Sequence, residues 1–419
     1  MSKTGGILSV VVVAAIVVGW FASTIAQPAP QPEAEPPVDY LIVCADGLEE
    51  VAREWAAYRE SQGRRTRVRT VDSAMGDRSE SYPATLEEIK KAIGDEAGLV
   101  AAEEGKEGSP PREGFQVLLL GDCPHEGTKE SAYDPKQEIP WQMTEELDGD
   151  LNPKTAQTIP TDNYYADLIE GDEGRPEIAV GRIPARTSAQ ARAALAKVKA
   201  YEAAEIGQWS RRLTFFAGEG RFGPMVDSLI EQLFTRFVDE NLDQAFEVRM
   251  TYANLSSPYA WPPHEFSDKV VKEANDGSLM LVYLGHGSHD RLDDMRVPYS
   301  KERFPILAGS DIESFAIADA KLPVMLIVAC ATGYMDHPRG SLAERVCFSE
   351  RAPIAVVASS RDSHPYSNML VQKGLISEIT ASRRETLGEA FRLMKLDILD
   401  GNDKARLELD QMAAMLVPK

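Results

Sequence analysis

Cysteine is scarce in this chain: four in 419 residues, too few for a disulfide scaffold. None of the four stands in the Cys-x-x-Cys spacing of a zinc site. Aromatic residues make up only 7%, and positive charge is short, with 45 Lys and Arg against 66 Asp and Glu. The net charge of −21 argues against nucleic acid and anionic membrane surfaces as partners. Basic peptides or divalent cations suit it electrostatically, beside the plainer reading of an acidic, solvated surface. There is no internal repeat and no low-complexity carboxy-terminal tail. What remains is a globular composition, 43% apolar and 26% charged, long enough for one large core or two adjacent ones.

The amino terminus carries a strong signal. Lys3 precedes an uncharged stretch over residues 4–32, whose apolar heart at 7–26 matches a membrane-spanning helix in length. The basic flank on the short side places the rest of the chain outside the cytoplasm. Thr24-Ile25-Ala26 is an imperfect cleavage site, so residues 1–26 read as a signal peptide or, more readily, a retained membrane anchor. Residues 27–38 follow as a proline-rich tether, on the order of 30 Å long. Folded structure is expected directly after it, with no pro-domain between.

From residue 40 strands and helices alternate, the mark of parallel sheets flanked by helices. Strands are predicted at 40–45, 66–71, 115–120 and 177–183, and helices at 48–62, 85–97 and 188–206, with 98–114 and 122–160 as loops. A second series opens with a strand at 213–216 and continues through a helix at 224–241, a strand at 246–252 and a helix at 264–275. The expected architecture is α/β, with mostly parallel sheets in two adjacent subdomains, 39–208 and 209–419. Cys44 and Cys123 both follow predicted strands, which leaves open whether they meet as a disulfide across a sheet edge. Cys347 falls in a predicted helix and reads as a small core residue.

Two dipeptides carry the chemistry. His286-Gly287 follows the apolar run LMLVYLG at 279–285, and Ala329-Cys330 closes the run PVMLIVA at 323–329. Such runs read as buried parallel strands, and ligands gather beyond the carboxyl ends of strands in open α/β sheets. A cysteine attacks as its thiolate, so it needs a positive or dipolar neighbourhood, and a turn with small neighbours beside a helix amino terminus supplies one. Ala331, Thr332 and Gly333 fit that turn. His286 would protonate a leaving amine and then activate water. Gly287, without a side chain, would offer its N–H with that of Cys330 as an oxyanion hole. Alone, a His-Gly after a strand is usually a turn and a Cys at a strand end usually a buried thiol. Together, in neighbouring βα units, they favour a cysteine nucleophile with a histidine partner.

These residues also carry a family resemblance. YLGHGS at 283–288, the run from Leu322-Pro323 into Val328-Ala329-Cys330, and Thr332-Gly333-Tyr334 resemble the His and Cys blocks of the gingipain-like cysteine peptidases. These are the peptidase family C25 type, relatives of caspases and legumains. Residues 39–71, the LLGD at 119–122, TDNYYADL at 161–168, IAVGRI at 178–183 and VVASS at 356–360 are similar to further family segments. The resemblance spans most of 39–380 and implies a caspase-like α/β fold, a polypeptide substrate, Cys330 as nucleophile, His286 as proton-transfer residue and Gly287 in the oxyanion hole. It also implies an acidic residue near Asp162 or Glu173, lining the first specificity pocket or supporting His286, though Asp162 is equally suited to cap a turn. Ser359, Arg361, Asp362, His364 and Tyr366 fall in the segment that implies a pocket wall, or else a polar surface loop. Acidic Asp162 and Glu173 favour a basic residue before the scissile bond, whereas Arg361 would favour an acidic one.

Other constellations are weaker. Gly218-Glu219-Gly220 lacks the third glycine and Lys-Ser/Thr of a phosphate loop and reads as a turn. His286 and His289 with Asp290, Asp293 and Asp294 read as a solvated acidic loop more than a metal site. The dyad chemistry requires no cofactor, and a structural calcium ion stays open. Two rivals to an exported, anchored endopeptidase remain: a catalytically silent envelope binding module, and a transpeptidase using the same dyad.

Overall fold

Valine, isoleucine and leucine runs build the two parallel sheets around which the chain is organised. The structure is a computed structural model that describes residues 37–71, 86–100, 109–124, 135–145, 158–171, 174–220, 242, 244–297, 299–318, 321–363 and 365–401. In the first half, β1 (Tyr40–Cys44) leads through α1 (Glu49–Ser61) to β2 (Thr66–Thr70), then α2 (Leu86–Ala97) to β3 (Gln116–Leu120). A short antiparallel pair, β4 (Gln142–Glu145) and β5 (Thr158–Thr161), precedes β6 (Ala179–Ile183) and α3 (Ser188–Glu202). Strand order in this sheet is β2-β1-β3-β6, parallel throughout. The β4–β5 pair corrects the expectation that 122–160 is all loop. Its strands are short and hold Pro160 and Asp- and Gly-rich flanks, which mask the β pattern.

The second half begins with β7 (Arg212–Ala217), β8 (Glu247–Tyr252), α4 (Phe266–Asn275) and β9 (Met280–Leu284). Two small hairpins follow, β10 (Gly287–Ser288) with β11 (Arg291–Leu292), and β12 (Asp294–Arg296) with β13 (Arg303–Pro305). Then come β14 (Val324–Val328), α5 (Leu342–Phe348), β15 (Ala355–Ala358), α6 (Pro365–Thr380) and α7 (Leu387–Asp400). The sheet runs β15-β14-β9-β7-β8, again all parallel.

Alternation along these strands sends side chains to opposite faces. Phe216, Leu281, Tyr283, Met325 and Ile327 pack with Phe266 and Val270 of α4 and Leu342 and Val346 of α5. Phe215, Met280, Val282 and Leu326 pack with Leu375 and Ile376 of α6 and Met394 of α7. Both faces of the second sheet are therefore covered, which explains why its strands read as continuous apolar runs. The predicted helix at 224–241 falls outside the described residues.

The two halves form one compact unit. Arg186 reaches from the end of the first sheet to both Asp122 and Glu344 of α5, at 2.7 and 2.8 Å. Lys197 of α3 donates to the carbonyls of Val346, Cys347 and Ser349 at the end of α5. α7 closes back over the first sheet, where Gln116 donates to Thr386 at 3.1 Å and Arg175 pairs with Asp400 at 2.6 Å.

Candidate active site

Register brings the two dipeptides together. β9 and β14 are hydrogen-bonded neighbours with Leu284 opposite Val328, so His286 and Cys330 each stand two residues beyond one paired position. Gly285 N–H donates to the Val328 carbonyl at 3.2 Å, carrying the pairing one step further. The strand ends then press together at Gly287. A Cβ there would lie 2.7 Å from Thr332 Cγ2, 2.9 Å from Ala329 Cβ and 3.1 Å from the Cys330 carbonyl oxygen. Only glycine allows this approach.

His286 is held from three sides. The buried Tyr283 hydroxyl donates to its carbonyl at 2.8 Å. Asp293 N–H donates to the same carbonyl at 3.0 Å. That bond makes Gly287 and Leu292 a non-hydrogen-bonded pair, which turns the Gly287 N–H away from the small ladder. The ring Nε2 lies 2.6 Å from the carbonyl of Gly220. A carbonyl can only accept, so Nε2 carries a proton. The Gly218–Gly220 segment, read from sequence as a plain turn, is thus part of the histidine's setting. Its signal was present, a polar turn closing the strand beside β9, but nothing local says that its carbonyl meets a histidine.

Cys330 begins a sharp turn. Ala331 adopts the left-handed region, φ +53°, and donates its N–H to the Arg361 carbonyl at 2.9 Å. Gly333 N–H donates to the Ser359 carbonyl at 2.8 Å, so residues 359–363 run alongside the turn. Cys330 is half-buried and carries no disulfide. Its sulfur meets Ser363, whose N–H and carbonyl oxygen both lie 3.4 Å away. α5 ties both loops down: Leu342 N–H donates to the carbonyl of His289 and Ala343 N–H to that of Thr332. A capping box of Ser341 and Glu344 fixes the start of that helix. His289 stacks on His337 at 3.8 Å, a further bridge between the histidine loop and the cysteine turn.

The charged candidates are engaged with the protein itself. Both oxygens of Asp162 accept from Arg182, at 2.8 and 2.7 Å, and the same buried guanidinium donates to the carbonyls of Gly121, Asp122, Ile139 and Pro140. Arg361 binds Asp336 through two bonds of 2.8 and 2.7 Å, lies over the Tyr334 ring and donates to the Thr158 carbonyl. It anchors the wall segment to the cysteine turn and to β5 instead of presenting an isolated charge. Ser360 adds a bond to the Pro160 carbonyl. Glu173, His364 and the side chain of Tyr366 lie outside the described residues.

Cys44 and Cys123, whose pairing the sequence leaves open, are separate buried thiols. Cys44 pairs in register with Leu120, three residues short of Cys123. Burial pushes the Cys44 thiol up to about 12 and holds Cys123 well above the usual thiol range. Cys347 in α5 is half-buried, its thiol also raised by burial. Around His289, Asp290 accepts from Ser288 and pairs with Arg291, while Asp293 accepts from the Asp294 N–H. Among the described residues no group of three or more His, Cys, Asp or Glu side chains is placed to hold a metal ion. No helix among them is long and apolar enough to cross a membrane, and residues 7–26 lie outside them.

A half-exposed thiol and an imidazole thus stand at adjacent strand ends of a parallel α/β sheet, residue types that a cysteine peptidase would use. The comparison with known proteins makes the family specific: the model of peptidase family C25 matches residues 33–416, so the chain belongs to that family and is a cysteine peptidase. Among solved structures, the Arg-specific cysteine proteinase gingipain R is similar in fold, with a TM-score of 0.59 and 17% identity over 90% of this chain and 76% of that one. The complex of the pro- and mature domains of RgpB from Porphyromonas gingivalis gives 0.58 and 16%, over 88% and 75%. A further protease structure gives 0.52 and 17%, over 81% and 63%. No curated protein matches in sequence.

Proposed function

We propose that this peptidase cleaves polypeptide chains internally through a thioester on Cys330, with His286 moving the protons. The observation that carries the reading is the shared offset of the two residues beyond the Leu284–Val328 pair, with Gly287 pressed against the Cys330 carbonyl. Nδ1 of His286 takes the thiol proton while Nε2 stays bonded to Gly220. The thiolate sulfur attacks the scissile carbonyl, and the Gly287 N–H, turned out of its ladder, supports the oxyanion. The imidazolium gives its proton to the departing amine. Water, activated by the same ring, then releases the acyl group.

With Asp162 and Arg361 both bound in ion pairs, neither supplies an isolated charge for a substrate side chain. The reading includes an extracytoplasmic location, with the apolar stretch at 7–26 as anchor or cleaved signal and the prolines beyond it as tether.

The test is the purified protein and its Cys330→Ala variant, incubated under reducing conditions with a peptide library and read by mass spectrometry. Cleavage by the parent alone supports the dyad. Joined products on adding amine nucleophiles would favour transpeptidation. A folded parent that neither cleaves nor reacts with an electrophilic peptide would favour the silent binding module.

A further inference from the structure

The sulfur of Cys330 has a neighbour that the dyad leaves unused. Ser363 surrounds it with three groups: an N–H at 3.4 Å, a carbonyl oxygen at 3.4 Å and a hydroxyl at 3.9 Å. The hydroxyl is itself oriented, because Asn368 Nδ2 donates to its oxygen at 2.7 Å. An oxygen that accepts there keeps its own proton for another acceptor, and the sulfur lies within reach. Asn368 belongs to the first turn of α6, whose sixteen residues place the positive end of a helix dipole at this segment.

We propose that Ser363 is the cradle of the nucleophile, with Asn368 as a positioning residue acting through it. This deepens the reading of Cys330 as nucleophile and rests on it. In the resting thiol, the S–H bond points to the Ser363 carbonyl. When that bond breaks, its electron pair stays on sulfur and the proton passes to Nδ1 of His286. The thiolate then meets the N–H and the hydroxyl of the same serine. Ser363 thus serves both protonation states, parking the thiol with its acceptor and holding the thiolate with its donors. Hydrogen bonds to the charged form favour that form.

The test compares the parent with Ser363→Ala, Ser363→Thr, Asn368→Ala and the double variant Ser363→Ala/Asn368→Ala. Alkylation of Cys330 by iodoacetamide is followed against pH, with the modified cysteine located by peptide mapping. Steady-state constants come from a peptide that the parent cleaves. Ser363→Ala is expected to shift the alkylation profile about half a pH unit upward and to lower kcat about threefold with KM unchanged. Asn368→Ala should give part of that shift, and the double variant no more than Ser363→Ala alone. Ser363→Thr, which keeps the hydroxyl, should restore the parent profile. A Ser363→Ala profile that superimposes on the parent would overturn the inference. So would an Asn368→Ala effect that persists in full on the Ser363→Ala background. Cleavage surviving in Cys330→Ala would instead overturn the dyad, so the two failures are distinct.

Discussion

Each half of the chain ends its parallel strands in a turn that carries a cysteine, and the two turns have opposite fates. In the first sheet, Cys123 lies three residues beyond β3, fully buried beside Asp122, and burial keeps its thiol protonated. Arg182 fills the space beyond those strands, binding Asp162 and four backbone carbonyls from a buried position. In the second sheet, Cys330 lies two residues beyond β14 and stays half-exposed, with Ser363 donating to its sulfur. The carboxyl end of a parallel sheet is a favoured place for chemistry. In the first sheet the Arg182–Asp162 ion pair occupies that place, while in the second the thiol stays within reach of solvent.

The largest effect separates the two cysteines. Cys330→Ala should lower peptide cleavage by at least about a thousandfold with little change in melting temperature. Cys123→Ala should keep activity and cost about 1 kcal/mol of stability, read by urea denaturation. Activity lost in Cys123→Ala and kept in Cys330→Ala would reverse the assignment. Next comes Arg182→Met, which takes both bonds from the Asp162 carboxylate and the guanidinium donors from four carbonyls. It should cost about 3–5 kcal/mol by the same denaturation measurement. Asp162→Asn should weaken stability without altering which residue precedes the cut; a changed preference would make that carboxylate a reader of substrate.

Gly287→Ala probes the open end itself. Its Cβ must displace Thr332, Ala329 or the Cys330 carbonyl, all within 3.1 Å. A shift of that size between histidine and cysteine should cost roughly a hundredfold in kcat/KM. Normal kinetics in this variant would mean that the two loops do not press together as described.

The sheets and the two dipeptides were legible because both are local patterns. Runs such as VMLIV in β14 announce a doubly covered strand, and a polar residue at the end of each marks the edge. What stayed hidden depends on partners distant in sequence. Asp162 and Arg361 each looked like a pocket charge, since no local pattern reveals that Arg182 and Asp336 take them. The β4–β5 pair was lost to its proline and short strands, and the Gly220 carbonyl could not be linked to His286 from a distance of 66 residues. Ser363 was passed over between more conspicuous charged neighbours. A bare serine has no signature until a sulfur is placed beside it.

The contact between the halves allows the finest test. Lys197 is buried, and desolvation lowers its ammonium to about 8, yet it donates to three carbonyls closing α5. These influences oppose each other, because carbonyl acceptors at a helix end favour the cation. If burial prevails, the folded state releases this proton at lower pH than the unfolded chain, whose lysine titrates near 10.4. Between those values the unfolded chain holds more protons, so stability rises with pH across that window. Below about pH 8 both states are charged and the full cost of burial is present. Lys197→Met should then lie within about 1 kcal/mol of the parent at pH 7, since an apolar side chain replaces a costly buried charge. Denaturation midpoints from pH 7.5 to 10 should show the parent gaining on the variant by on the order of 1 kcal/mol. A flat difference would mean that the three carbonyls offset desolvation in full, and that this cation fastens the open sheet's helix to the closed sheet's half at no net cost.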